Sequence, residues 1–109
     1  MEYDEIEKML IKFRDERDWK KYHNLKNLIL SLNLEASESL EIFQWKNEQD
    51  ELSNEEEEHL EEEIADVLIY AFYVCEKLGV NPYDLIQRKV KFNEGRTWKN
   101  DRKGNERSK

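Results

Sequence analysis

One cysteine, one proline and three glycines in 109 residues leave little material for a stapled or turn-rich fold. Cys75 alone excludes an intrachain disulfide and fits a reducing, cytoplasmic setting. Its place in an apolar run makes it a small core residue rather than a nucleophile. With so few turn formers the regular elements must be long and few, which excludes a sheet of many hairpins and points to an all-α chain. Long hydrophobic runs are also missing. The longest, Ile64–Cys75, is interrupted by Asp66 and falls short of the roughly 20 residues that cross a bilayer. Residues 1–20 are peppered with charge, so no leader peptide is read there and no membrane partner is expected.

Basic charge is in deficit as well. Eighteen Lys and Arg stand against 26 Asp and Glu, a formal net charge of −8, so the chain lacks the cationic face a nucleic-acid binder needs to displace counterions. The deficit is uneven: residues 96–109 carry six basic and two acidic groups, leaving 12 against 24 in residues 1–95. We expect one domain over residues 1–98 and a basic, flexible tail over 99–109, where no apolar residue offers an anchor. A domain this small has a modest core, which makes self-association a natural supplement.

What the sequence does contain is helical periodicity. Ile6, Met9, Leu10 and Phe13 recur at helical spacing over residues 3–17. Asp18–His23 breaks the pattern and predicts an aromatic loop. A second helix is predicted from Asn24, as N-cap, to Trp45, with Leu28, Leu32, Ile42 and Trp45 on its apolar stripe. Ser53 followed by Glu56 has the form of a capping box and opens a third helix, which Gly79 should close. Asn81–Pro82 then supplies an N-cap and a proline at the first helical position, for a fourth helix to about Glu94–Gly95. Helix three is apolar nearly all round through Ile64–Cys75, which predicts burial against a second copy of the chain as a homodimer or homotetramer.

Against that frame two acid pairs fall in unusual places. Glu35 and Glu38 are three apart on one helix, and Glu63 and Asp66 are three apart on the next, so each pair stacks on one face. Glu35 and Glu38 lie on or beside the apolar stripe, and Asp66 sits among Ile64, Ala65, Val67 and Leu68. Removing unpaired carboxylates from water costs several kcal/mol each, of order, and gathering them adds repulsion. If helices two and three pack antiparallel, the pairs meet as an oxygen cage suited to Mg²⁺ or Mn²⁺ rather than zinc. The bland alternative is a solvated acidic face, which is how Glu55–Glu58 with Glu61–Glu62 reads. A di-iron centre wants two Glu-x-x-His pairs, and only Glu56–His59 has that form.

The residues as a set resemble a known family. Glu35-Ala-Ser-Glu38, 24 intervening residues, then Glu63-Ile-Ala-Asp66 is similar to the ExxE…ExxD signature of the all-α nucleoside triphosphate pyrophosphohydrolases, in their MazG-like branch. Arg17-Asp18-Trp19 with His23, Asn27-Leu28, Phe43-Gln44-Trp45-Lys46 and Asp66-Val-Leu-Ile-Tyr70 extend the likeness from about Phe13 to Asn93. It implies a four- to five-helix bundle that oligomerises through its helices. It also implies cleavage of a (d)NTP, such as dCTP or a modified dNTP, to (d)NMP and pyrophosphate. By position, Glu35, Glu38, Glu63 and Asp66 would be the Mg²⁺ ligands. Trp19 and Trp45 would flank the base with His23 and Tyr70 nearby, and Lys89 and Asn93 would contact the nucleotide.

Chemistry is compatible with those roles. Aromatic faces hold a base by stacking worth roughly 1–3 kcal/mol. Lys89, Asn93 and Arg96 are spaced to share one helix face toward phosphates. A water activated at the ion would attack, with Glu41 or Glu38 as general base. Three departures bear on base preference: Ser37 stands where the family commonly has Gly, Thr97 where Tyr is common, and Leu10 where some members have His. The competing function is a non-enzymatic helical interaction module whose acidic cluster is structural.

Overall fold

The computed structural model describes the backbone of residues 1–107 and the side chains of residues 1–95. Among the described residues there are four α-helices, one short 3₁₀ turn and no strand: α1 (Tyr3–Glu16), the turn Lys20–Tyr22, α2 (Leu25–Glu41), α3 (Asn54–Leu78) and α4 (Pro82–Arg107). None of the helices is long and apolar enough to cross a membrane. The chain divides into two compact units, Met1–Leu78 and Gly79–Lys109.

Local chemistry sets the helix starts where the sequence predicts them. Asn24 caps α2 through a 2.8 Å bond from the Asn27 amide to its side-chain oxygen. At α3 the capping box is complete: the Glu56 amide donates to Ser53 Oγ at 3.2 Å, and the Ser53 amide donates to Glu56 Oε1 at 2.8 Å. Lys46 also reaches Glu56 at 3.1 Å. Cap and cation together hold the Glu56 carboxyl below its ordinary range. Gly79 stops α3 at φ +71°, a left-handed conformation open to glycine. In the second unit, the Tyr83 amide donates to Asn81 Oδ1 at 2.8 Å, so Asn81 caps α4 ahead of Pro82.

Two helix ends differ from prediction. α2 stops at Glu41 and a series of turns follows, which leaves Trp45 89 % exposed rather than on the apolar stripe. α4 continues past Glu94–Gly95 to Arg107. Gly95 does not take positive φ, and a glycine inside a helix weakens it by only about 1 kcal/mol without ending it. Residues 99–107, within the expected tail, carry helical backbone.

In the first unit, α2 and α3 pack along most of their lengths, and α1 lies against α3. Contacts of Asn27 and Ser31 with the level of Tyr70, of Glu35 with Glu63, and of Lys46 with Glu56 run in opposite senses, so α2 and α3 are antiparallel. Tyr73 Oη donates to the Leu10 carbonyl at 2.7 Å, and Arg14 reaches Glu76 at 3.1 Å. Arg14 is only 5 % exposed and also contacts Asp15 at 3.0 Å, so its charge is compensated where it is buried. Among the described residues of this unit, buried apolar side chains are few: Leu28, Tyr73 and Cys75. Burial pushes the Cys75 thiol up, as an inert core thiol requires.

Candidate active site

The turn after α1 builds one wall of a cavity. Asp18 adopts φ +56°, a left-handed conformation that Asp tolerates better than most residues. This reverses the chain and lets the Trp19 amide donate to the Arg14 carbonyl at 3.1 Å. Trp19 then meets Phe13 edge-on at 5.5 Å, with the Arg17 guanidinium 3.6 Å over the Phe13 ring. The Arg17-Asp18-Trp19 string thus has a local structural meaning: a stacking cation, a reversing residue and a presented indole.

That indole lines a cavity of about 370 Å³ with Tyr22, His23, Asn27, Leu28, Leu30, Ser31 and Tyr70. His23 is 8 % exposed and packs on Tyr73 at 4.7 Å between ring centres. Its Nδ1 is buried and has no hydrogen-bond partner. Burial, then the Arg14 and Lys77 charges, pushes its pKa below the ordinary value, so the ring favours its neutral form. The cavity therefore joins aromatic faces, one orphaned nitrogen, an amide and a hydroxyl, a mixture suited to a planar polar ring.

One turn further along both helices lie the acids. Ser31 and Glu35 are four apart on α2, as are Asp66 and Tyr70 on α3, a rise of about 6 Å. Glu35, Glu63 and Asp66 each place a ligand oxygen within 4.8 Å of the others. Oxygens bound across one octahedral Mg²⁺ stand about 4 Å apart, so the cluster fits a single cation with little adjustment. Glu63 Oε2 is buried without a hydrogen-bond partner, an orphan a cation would satisfy. The crowding is visible at Glu35, whose pKa is pushed up to about 7 by burial, by contact with Glu63, and by the Glu38 and Asp66 charges. Glu38 is exposed a turn beyond Glu35, and its pKa is raised chiefly by Glu63.

The antiparallel packing therefore brings Glu35, Glu63 and Asp66 together, with Glu38 at the rim. It also brings Trp19, His23 and Tyr70 into one cavity. Glu41 is exposed and contributes repulsion to Glu38 without joining the cluster. Trp45 does not line the cavity. The physical reason is the early end of α2, which releases Trp45 from the stripe that carried it in the sequence. Lys89 and Asn93 lie four apart on α4, in the second unit, and the Arg96 side chain lies outside the described residues.

Sequence reasoning gave no site role to four residues. Ser31 and Asn27 stand one and two turns before Glu35, and extending the acid face backward by fours would have found them. Arg14 carries no signal of burial, since it sits among charges. His59 was weighed only as the partner of Glu56 in a Glu-x-x-His pair, yet its Nε2 is 3.2 Å from Glu63 Oε1.

Comparison with known proteins places this arrangement. The MazG-like family model matches residues 30–108. The chain is 35 % identical over 82 residues to human dCTP pyrophosphatase 1, covering 72 % of this chain and 48 % of that protein. It is 32 % identical over 97 residues to the mouse protein of the same name, covering 85 % and 57 %. The chain thus spans about half the length of the curated relatives it matches. A solved structure of a pyrophosphatase from Archaeoglobus fulgidus superposes with a TM-score of 0.72 at 42 % identity, over 85 % of this chain and 89 % of that one. With that family model covering well over half of its length, the chain belongs to the MazG-like family.

Proposed function

We propose that the chain is a Mg²⁺-dependent nucleoside triphosphate pyrophosphohydrolase, converting a (d)NTP and water to a (d)NMP and pyrophosphate. The observation that carries this reading is the one-turn offset between the aromatic cavity and the carboxylate cluster on the same two helices. A nucleotide has the matching layout, a planar ring separated by a sugar from its anionic phosphates. The names of the human, mouse and archaeal relatives agree with the reaction class.

In this reading Glu35, Glu38, Glu63 and Asp66 hold the cation. Bound Mg²⁺ would neutralise phosphate charge and lower the pKa of an attacking water, with Mn²⁺ able to substitute. Trp19, His23 and Tyr70 receive the base, either cytosine, as the name of the human relative suggests, or a modified base. Glu38, at the rim of the cluster, or the exposed Glu41 beyond it takes the proton from water. The sequence likeness alone assigns Lys89 and Asn93 to the nucleotide and Trp45 to its base, and helical spacing adds Arg96. An interaction module would gain nothing from acids crowded on facing helices, since their repulsion only weakens the fold.

The same reading includes self-association. Leu34 and Leu40 of α2 and Leu68 of α3 are more than half exposed, and an apolar groove of about 240 Å³ runs between α1 and α3. Apolar surface of that extent is typical of a subunit contact. We expect a homodimer or homotetramer in sedimentation, working in the cytoplasm.

The deciding assay incubates the full chain with canonical and modified dNTPs plus Mg²⁺ and resolves the products. Monophosphate plus pyrophosphate supports the proposal. Diphosphate plus phosphate, or no turnover of any triphosphate by folded protein, refutes it.

A further inference from the structure

We propose that His59 is a positioning residue for the cation cluster, holding Glu63 by one carboxylate oxygen so that the other is offered to the metal. The inference rests on the metal reading above and concerns how one of its ligands is aimed. His59 and Glu63 are four apart on α3, and Nε2 of His59 stands 3.2 Å from Glu63 Oε1. The second oxygen, Oε2, is buried and has no hydrogen-bond partner. The two oxygens of one carboxylate thus have different surroundings, one met from outside and one left facing inward.

The exposures fit that division. The Glu63 side chain is 13 % exposed and that of His59 is 58 % exposed, so His59 approaches from the solvent side. His59 is absent from the group of mutually close ligand atoms, which is confined to Glu35, Glu63 and Asp66. It therefore acts through Glu63 and not as a ligand. Among the described residues neither Glu35 nor Asp66 has a basic side chain within ion-pair distance, so Glu63 is the cluster member met from outside. A carboxylate turns readily about its last torsion. Fixing one oxygen removes that freedom before the cation arrives, the part that outer partners play around metal ligands.

The test titrates the full-length protein with Mn²⁺ alone and follows the free ion by electron paramagnetic resonance. Wild type is compared with His59→Ala and His59→Gln. Glutamine places its amide nitrogen the same number of bonds from Cα as Nε2 of histidine, so it keeps a donor without the ring. We expect His59→Ala to weaken Mn²⁺ binding about tenfold and His59→Gln to stay within about twofold of wild type. Far-UV circular dichroism should be unchanged in both. Wild-type affinity in His59→Ala overturns the inference, as does a glutamine variant as weak as alanine. Failure of folded wild type to bind Mn²⁺ overturns the metal reading itself, and it is told apart because the unsubstituted chain then fails.

Discussion

Helix α3 carries two groups of acids that differ in almost nothing but address. Glu55–Glu58 with Glu61 and Glu62 occupy its first turns, mostly exposed, and Glu56 there is pulled below its ordinary pKa by the Ser53 cap and Lys46. Glu63 and Asp66, in the next turns, meet Glu35 across the α2–α3 contact, where the Glu35 pKa is pushed up to about 7. One helix therefore holds Glu56, stabilised as an anion, a few turns from Glu63 and Asp66, whose charges disfavour the anion of Glu35. The facing helix makes the difference, since α2 brings acids opposite the second group and Lys46 lies opposite the first.

The largest expected break in this contrast is catalytic. Asp66→Asn should lower kcat by about 10³-fold or more, the scale of several kcal/mol of lost cation assistance. Steady-state release of pyrophosphate measures it, and wild-type turnover in that variant would remove Asp66 from the site. Next comes the cap. Ser53→Ala should cost about 1 kcal/mol of unfolding free energy, read from denaturant melts, because α3 loses the oxygen its first turn bonds to.

A smaller effect separates the two groups by sign. Glu35 has a folded-state pKa above its unfolded value, so the metal-free native state binds the extra proton between about pH 7 and 4.5. Its unfavourable contribution is fully present above pH 7 and disappears as the pH falls through that window. Glu56 has the opposite shift: its contribution is favourable at neutral pH and is lost only below the ordinary carboxylate range. Metal-free Glu35→Gln should therefore melt a degree or two above wild type at pH 8, about the limit expected after solvent screening. The gap should close by pH 5, and saturating Mg²⁺ should reverse it at pH 8. The smallest effect is the control. Glu61→Gln should change stability by no more than about 0.5 kcal/mol and leave turnover unaltered.

How much of this is legible in the sequence depends on the range of the interaction. Asn24, Ser53, Gly79 and Asn81–Pro82 act within a few residues of themselves, and all four mark helix ends as read. The acid pairs were legible because helical spacing stacks them and apolar neighbours set them apart from the solvated run. The reach of the second helix to Trp45 was misjudged because apolar spacing continues past the point where the helix stops. Arg14 and His59 were missed for the converse reason: their partners, Glu76 and the inward-facing Glu63, acquire meaning only after α3 is packed.

The turn at Asp18 has a consequence for how such a protein can diversify. The carboxylates sit on the two helices that hold the first unit together, whereas much of the cavity wall hangs on the short stretch from Trp19 to Leu28. Changes in that stretch can remodel what is recognised without disturbing the groups that would do the cleaving. In the proposed reading reaction and selectivity are inherited separately, and a library at Trp19, Tyr22, Asn27 and Ser31 would search new substrates while leaving the carboxylates and the Leu28 core in place.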